Sequence, residues 1–599
     1  MVATLAPPAP AAAAAPEVAP GGAGPSAGRS RAARFGAAVV TVERLVVSLL
    51  ATAGALVGGW VLDVRYHTIQ DDGLSRLANA YYVLHSRDHH LAAIGFVWNP
   101  LPSLLDLPIT LFSGVAHTVL ISDAYGAAIV SAAAFGVATW QLHGFLAELG
   151  ARGPWRLGLL ACFCLHPLVA IYAANGMSEM LLIACLLATA RHLARWSATD
   201  RTGSLVAAGL AVGLAYLARP EGALAAAGAT AAVAVVSFGR GRRTGFRLAR
   251  QRALADSVVF VAPFVLALVV WLATSWIITG HPLEYVSSSD GNSVQVKEAG
   301  AVIGATVSAR LGWSLFDITF VAPLLLIAVG LAAVRASFWR DGCPVVVAGV
   351  LGSVLGGEVV LYAAGDTFHW LRFYVYAVPL TVMLAAAALL AERSVPAART
   401  GSRAERAVRA VARSGRRAVL GALAVAVAAP GIATTASALA DPAQPHTKDE
   451  RFYIAPVFQP SSVDGRAAAP AQKWAQMRDL AARLDAMHLG DGALAVDDAV
   501  QCVPYVILDS AHPTQFRIPN DEDFVHSFGA LYPRGVRYLL VSDPSAVGVP
   551  DAIDQRLPGV YANGAGVATL VHTFTYSQCP TFRLYRVLPS ATGPVDGSF

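Results

Sequence analysis

Apolar blocks of about 20 residues, the length that carries an α-helix across a bilayer, recur throughout this chain. They fall at roughly 39–62, 124–147, 155–174, 177–195, 203–218, 222–238, 255–278, 313–334, 343–364, 373–391 and 418–439. Lipid offers backbone N–H and C=O groups no partner, so each block is committed to helix. Charged residues make up 14% of the chain, against about 25% in an average soluble domain. The sequence therefore predicts a polytopic α-helical membrane protein of about 11 transmembrane helices.

Arginine placement gives the expected orientation. Residues 1–38 are rich in Ala, Pro and Gly, end in Arg29, Arg31 and Arg34, and read as a disordered cytoplasmic tail. With the N-terminus inside, the dense arginine groups fall on the cytoplasmic side: Arg152 with Arg156, Arg195 with Arg201, Arg240 to Arg252, Arg335 with Arg340, and Arg393 to Arg417. The formal net charge of +5 is thus a topology signal and argues against a nucleic-acid partner. An odd number of spans leaves three segments outside: a first loop at 63–123, a middle loop at about 279–312, and a tail at 440–599. In the first loop, 74–90 reads as an amphipathic helix lying on the membrane. Residues 101–120, interrupted by Pro102, Asp106 and Pro108, read as a re-entrant or juxtamembrane helix.

The tail changes character. A helix is expected over 470–487 and short strands at "GALAVDD", "VRYLLVSD", "VATLVHTF" and "TFRLYRVL", which together suggest a small α/β domain. The organisation is therefore 1–38 tail, 39–439 membrane domain and 440–599 extracytoplasmic domain. Neither a phosphate-binding glycine loop nor metal-ligand spacing is evident in the tail, so recognition or packing is its expected role. Cys502 and Cys579 are expected to pair if this region lies in an oxidising compartment. Cys162, Cys164, Cys185 and Cys343 fall in or beside spans, where cysteine behaves as a small hydrophobe.

Charges are scarce enough that their side of the membrane is informative. Asp71 and Asp72 follow the first span directly. On their own they read as a helix N-terminus, where carboxylates complement the macrodipole. The same outer face collects Asp123, Glu179, Arg219, Glu221, Glu284, Lys297, His369 and Arg372. Arg219 and Arg372 oppose the inward bias of arginine, and a guanidinium there suits a phosphate through forked hydrogen bonds. Carboxylates facing arginines fit an anionic, membrane-embedded substrate with an attacking hydroxyl.

At this point the residues resemble a family. The acidic pair, "VWNPLPSLLDLPITLF", "ISDAYGAAIVSAAAFG", "NGMSEMLLIACLLATARHLARW", "ARPEGAL" and "LRFYVYAVPLTVML" are together similar to the GT-C superfamily of integral-membrane glycosyltransferases, of an actinobacterial type. The resemblance implies a polyprenyl-phosphate sugar as donor and an envelope glycan, glycolipid or protein as acceptor. It also implies a catalytic aspartate in the first outer loop, and basic residues or a divalent metal, Mg or Mn, at the leaving phosphate. Mannose and arabinofuranose are the leading sugars. Where relatives carry an aromatic after the acidic pair, this chain has "DDGLSR".

Asp72, Asp71 and then Asp123 are the expected bases, Asp72 leading because Arg76 lies one turn further on the same face. Arg372, His369 and Arg219 are expected at the donor phosphate, and Glu179, Glu221, Glu284 and Lys297 around the substrates. Asp88, His89 and His90 are the possible metal ligands, against a plain interfacial turn. A base-assisted single displacement inverts the anomeric centre. Two other readings compete. A transporter or flippase predicts mid-span ionisable residues and repeated halves; Glu358 sits inside a span, but most charges gather on one outer rim, and no repeat is evident. A non-catalytic scaffold leaves the opposed charges unexplained.

The orientation has a direct check. A cysteine introduced near Asp596 is expected to react with a membrane-impermeant maleimide in intact cells. Labelling only after lysis would invert the scheme.

Overall fold

A computed structural model describes residues 31–242, 245–284, 296, 306–339, 341–391, 403–459, 468–547 and 551–589. Among them, seven helices are long and apolar enough to cross a membrane, or up to ten if each of three bent helix pairs is one span. The chain is a multi-pass helical membrane protein with a small sheet near its C-terminus. The expected number of about 11 exceeds this count by length and composition, for two physical reasons. Arg191 and Arg195 dilute the apolar character of Glu179–Thr199, and Thr202–Ala218 is only 17 residues long.

Two of the three bent pairs follow from proline. Val307–Val321 and Leu325–Phe338 meet at 87° where Ala322 (φ −148°, ψ 73°) precedes Pro323. Gly153–Cys164 and Pro167–Ala174 meet at 66°, with His166 extended before Pro167. In each case the ring of the proline excludes the residue before it from helical geometry. The single spans expected at 155–174 and 313–334 are therefore broken. Leu101–Thr110 and Ser113–Ser122 meet at 86°, a broken span or a re-entrant loop.

Burial sorts the helices. Leu371–Leu389 is central, with 94% of its apolar stretch inside the protein. Val39–Arg65 and Phe246–Thr279 are 22% and 17% buried and turn Leu49, Leu50, Val57, Leu266 and Val270 outward. Inside the bundle small residues permit close backbone approach. A Cβ on Gly228 would lie 2.3 Å from the Gly349 carbonyl oxygen.

In the C-terminal region, helix Ala469–Asp485 packs beside a five-stranded sheet of order β2-β1-β3-β5-β4. Its strands are β1 (Leu494–Ala495), β2 (Phe516–Arg517), β3 (Tyr538–Ser542), β4 (Ala568–Phe574) and β5 (Phe582–Val587). β2, β1 and β3 run parallel, while β5 is antiparallel to both β3 and β4. Four of these strands fall in the segments expected from sequence: β1 in "GALAVDD", β3 in "VRYLLVSD", β4 in "VATLVHTF" and β5 in "TFRLYRVL". β2, two residues long like β1, lies outside the strand segments expected from sequence. Cys502 and Cys579 are joined as a disulfide.

One expectation changes. The helix after the first span is Asp71–His85, and Leu74, Arg76, Leu77, Ala78, Asn79, Tyr81 and Tyr82 are all buried. It does not lie on the membrane with a wet face. Its apolar residues share one core with Met477, Leu480, Leu484, Val503, Val506 and Phe582 of the C-terminal region. The burial removes more apolar surface from water than docking one stripe on lipid headgroups would.

The turn after Thr202–Ala218 has no spare volume. Gly222 N donates to Arg219 O at 3.0 Å, and a Cβ at Gly222 would meet Tyr216 N at 2.3 Å and Ala215 C at 2.5 Å. Gly222→Ala is expected to cost about 1–3 kcal/mol through overpacking. Gly203→Ala, with nothing within 4 Å, should be neutral or slightly stabilising. Thermal unfolding of both variants in detergent checks this.

Candidate active site

The two aspartates that open Asp71–His85 part company. Asp72 Oδ2 meets Arg372 Nη1 at 2.9 Å. Arg372 comes from a 3-10 turn, Leu371–Tyr374, at the entrance of the central helix, with its guanidinium 4.1 Å from the Trp370 ring centre. Arg76 donates to the backbone carbonyl of Asp72 at 3.1 Å rather than to its carboxylate, and lies 4.6 Å from the Trp98 ring centre. Burial pushes the Asp72 carboxyl up, yet the guanidiniums of Arg372, Arg76 and Arg219 outweigh it and hold the group below the usual carboxylate range.

Asp71 turns the other way. It accepts from Lys473 Nζ at 2.6 Å and from the Tyr505 hydroxyl at 3.2 Å, both from the C-terminal region. Lys473 also lies 4.9 Å from the Tyr505 ring centre. The left-open choice between the aspartates thus meets a physical difference. Asp71 ties down the C-terminal region, and Asp72 faces Arg372.

Arg219 is the second node. Extended backbone (φ −156°, ψ 149°) before Pro220 lifts it out of its helix. It donates to Ser178 Oγ at 3.1 Å, Glu179 Oε1 at 2.9 Å and Glu221 Oε1 at 2.6 Å. Glu179 Oε1 also lies 3.8 Å from Arg372 Nε, joining the two arginines. The result is one alternating series: Asp72, Arg372, Glu179, Arg219, Glu221. Its burial is steep, from 25% side-chain exposure at Asp72 to 1% at Glu179. Burial opposes charge at Glu221 and Arg219, but each is overruled by the other's field, so both stay firmly ionised. Glu358, which feels Glu221 and Arg219, leaves Oε1 without a hydrogen-bond partner among the described residues.

A further segment was not anticipated. Helix Lys448–Phe458, just past the last span, carries Asp449, Glu450 and Tyr453 into the field of Arg372. Glu450 is 1% exposed and accepts from the Tyr172 hydroxyl at 2.9 Å. Burial pushes its carboxyl up to about 7. The available signal was an acidic pair directly after a span, "KDERFY", the same arrangement as Asp71 and Asp72.

The remaining expected residues lie elsewhere. Asp123 pairs with His67 at 3.4 Å, and the His67 ring stacks 3.7 Å from Trp474. Glu284 is half-buried at the end of a described stretch, and Lys297 lies outside the described residues. His369 meets Asp317 at 2.8 Å and so turns toward that carboxylate, not toward Asp72. Asp88, His89 and His90 do not gather as a ligand set. Asp88 Oδ2 accepts from Glu522 N at 2.9 Å, its neighbour Arg87 binds Asp521 and Asp523, and His90 bends back to the Asp88 carbonyl. They form a docking turn onto the C-terminal region. The His/Cys/Asp/Glu group that fits a metal among the described residues is Asp317, His369 and His446.

No protein-family model and no curated protein matches the sequence. Among solved structures the chain is similar to ArnT from Cupriavidus metallidurans bound to undecaprenyl phosphate, at 15% identity and TM-score 0.47, over 91% of this chain and 99% of that one. The same protein in the apo state gives 14% and 0.48, over 91% and 98%. The Archaeoglobus fulgidus oligosaccharyltransferase in the apo form gives 13% and 0.40, over 86% and 70%. These likenesses are of overall chain course and carry no residue-by-residue correspondence.

Arg219 is the group whose loss the site tolerates least. Arg219→Ala would strand two buried carboxylates, Glu179 and Glu221, and removing one partner of a buried pair costs about 3–5 kcal/mol. Thermal unfolding should show that loss, with Arg219→Lys recovering part of it.

Proposed function

We propose that this protein is a membrane glycosyltransferase that moves a sugar from a polyprenyl-phosphate donor to an envelope acceptor on the outer face. The observation that carries the reading is the alternating series from Asp72 to Glu221. It sets a carboxylate against guanidiniums at the mouth of a helical bundle. A carboxylate takes the proton of an attacking hydroxyl. A fixed guanidinium stabilises the negative charge that grows on a departing phosphate. Arg372, with aromatic rings at 4.1 and 5.2 Å, is pre-oriented for that task.

The apolar part of such a donor also finds suitable surroundings. A cavity of about 490 Å³ is lined by Val47, Leu50, Gly54, Phe135, Leu160 and Ala174 among others, none of them Asp, Glu, Lys, Arg or His. The chain just beyond Ala174 reaches the Asp72 helix, since a Cβ at Gly73 would lie 3.1 Å from the Gly176 carbonyl oxygen. In this reading residues 1–38 face the cytoplasm, 39–439 form the catalytic membrane domain, and 440–599 lie outside and help position the acceptor. Sugar transfer by one displacement inverts the anomeric carbon, with Asp72 as base and Arg372 at the donor phosphate.

Glu450 supports a second assignment of the base, because its carboxyl titrates near neutrality. The two separate by pH. A general base works only when deprotonated, so its rate contribution is lost as pH falls through its pKa. With Asp72 as base, this group adds no acid limb until below the usual carboxylate range. With Glu450 as base, activity falls off near pH 7.

In transfer assays with a polyprenyl-phosphate sugar, Asp72→Asn is expected to lower kcat by about 10²–10⁴ and leave donor binding in place. Arg372→Ala should weaken donor binding as well. Full activity in the double variant Asp71→Asn, Asp72→Asn, with loss in Glu450→Gln, would move the base to Glu450.

A further inference from the structure

We propose that Asp317, His369 and His446 form a binding site for a zinc-type divalent cation that staples together the segments carrying Arg372 and Glu450. The inference stands on these three residues and does not rest on the transferase reading.

The three side chains come from distant parts of the chain. Asp317 lies in helix Val307–Val321, His369 lies just before the turn Leu371–Tyr374, and His446 lies in the turn Pro445–Thr447. Asp317 divides its carboxylate between the rings, with Oδ2 2.8 Å from His369 Nε2 and Oδ1 2.7 Å from His446 Nδ1. The ligand atoms all lie within 4.8 Å of one another. Side-chain exposures are 0% for Asp317, 4% for His369 and 3% for His446.

Proximity alone would fit a hydrogen-bonded triad. The geometry departs from one. Asp317 Oδ1 and Oδ2, His369 Nε2, and His446 Nδ1 and Nε2 are all buried without a hydrogen-bond partner, despite the short separations. Buried polar atoms are costly to leave unpaired. Here five are left so in one place, with lone-pair-bearing atoms converging and no N–H aimed at an oxygen.

A cation among them would take both Asp317 oxygens or one of them, His369 Nε2 and one His446 nitrogen as ligands. Two imidazoles and one carboxylate are ligands that zinc takes in four-coordinate sites, and imidazole favours zinc over magnesium or calcium. Tetrahedral bonds of about 2.0–2.1 Å place ligand atoms about 3.3 Å apart. The two short Asp317 contacts would open by about half an ångström on loading, and the widest separation in the set, up to 4.8 Å, would close toward that value. The surroundings are aromatic: Trp313 lies 4.5 Å and Phe316 5.1 Å from the His446 ring, and Tyr362 4.9 Å from that of His369. That shell keeps competing water away. Arg372 follows His369 by three positions and Glu450 follows His446 by four, so one ion fixes both.

The test uses the full chain, purified in detergent with a tag free of histidine, treated with chelator and then titrated with zinc chloride. Elemental analysis should find about one zinc per chain, and cobalt(II) should give the intense visible absorption of a tetrahedral site. Asp317→Asn, His369→Gln and His446→Gln should each weaken zinc binding by at least about tenfold. X-ray absorption of the loaded wild-type protein should show imidazole and oxygen ligands, a readout that needs no variant to fold. Monodisperse wild-type protein that takes up neither metal would overturn the proposal. So would sulfur ligation, or unchanged binding in folded variants. Transfer activity enters none of these readings, so the site and the transferase assignment fail separately.

Discussion

Ion pairs inside a membrane bundle are expensive, because each charge must be stripped of water before it meets its partner. The run from Asp72 through Arg372, Glu179 and Arg219 to Glu221 handles this by alternation, so that no charge is buried against only its own kind. The arrangement demands accuracy from four separate chain segments. Proline supplies part of it: Pro220 forces Arg219 out of its helix toward Glu179, and Gly222 lets the chain re-enter helix at once. Much of the remaining architecture, including the glycine-to-glycine helix crossing at Gly228 and Gly349, serves to hold those segments in register.

The C-terminal region is part of this construction. Its core is continuous with that of helix Asp71–His85, and Lys473 and Tyr505 reach Asp71 directly. Arg87 fastens the far end of the same helix to Asp521 and Asp523. A region in which sequence reading found no chemistry therefore shapes the electrostatics one residue from Asp72. The two adjacent aspartates owe their different partners to being on neighbouring positions of a helix turn, about 100° apart.

What was legible in the sequence had a period or a side. Apolar length marked the spans, and short apolar runs in the polar tail marked β1, β3, β4 and β5. The sidedness of scarce charges grouped Asp72, Glu179, Arg219, Glu221 and Arg372 before any geometry was known. What escaped lacked both signals. β2 is two residues directly after a Pro-containing turn. Asp317, the carboxylate that turns His369, sits inside an apolar block, and His446, the second imidazole on it, lies in a connecting turn. Lys473 lies on the expected helix at 470–487, where nothing local points to its partner Asp71. The surface helix expected at 74–90 is buried because a distant part of the chain covers it, and no local pattern encodes that.

The contact between Asp71 and Lys473 spans 402 residues of sequence. At synthesis rates of about 5–20 residues per second, Asp71 waits roughly 20–80 seconds for that partner to be made. Throughout that interval the apolar face of helix Asp71–His85 has no C-terminal core to enter. The nascent chain must therefore shelter Leu74, Leu77 and Tyr81 against lipid or a chaperone while the rest of the bundle is inserted. The final shape of the site is decided last, when the end of the chain folds back over its beginning.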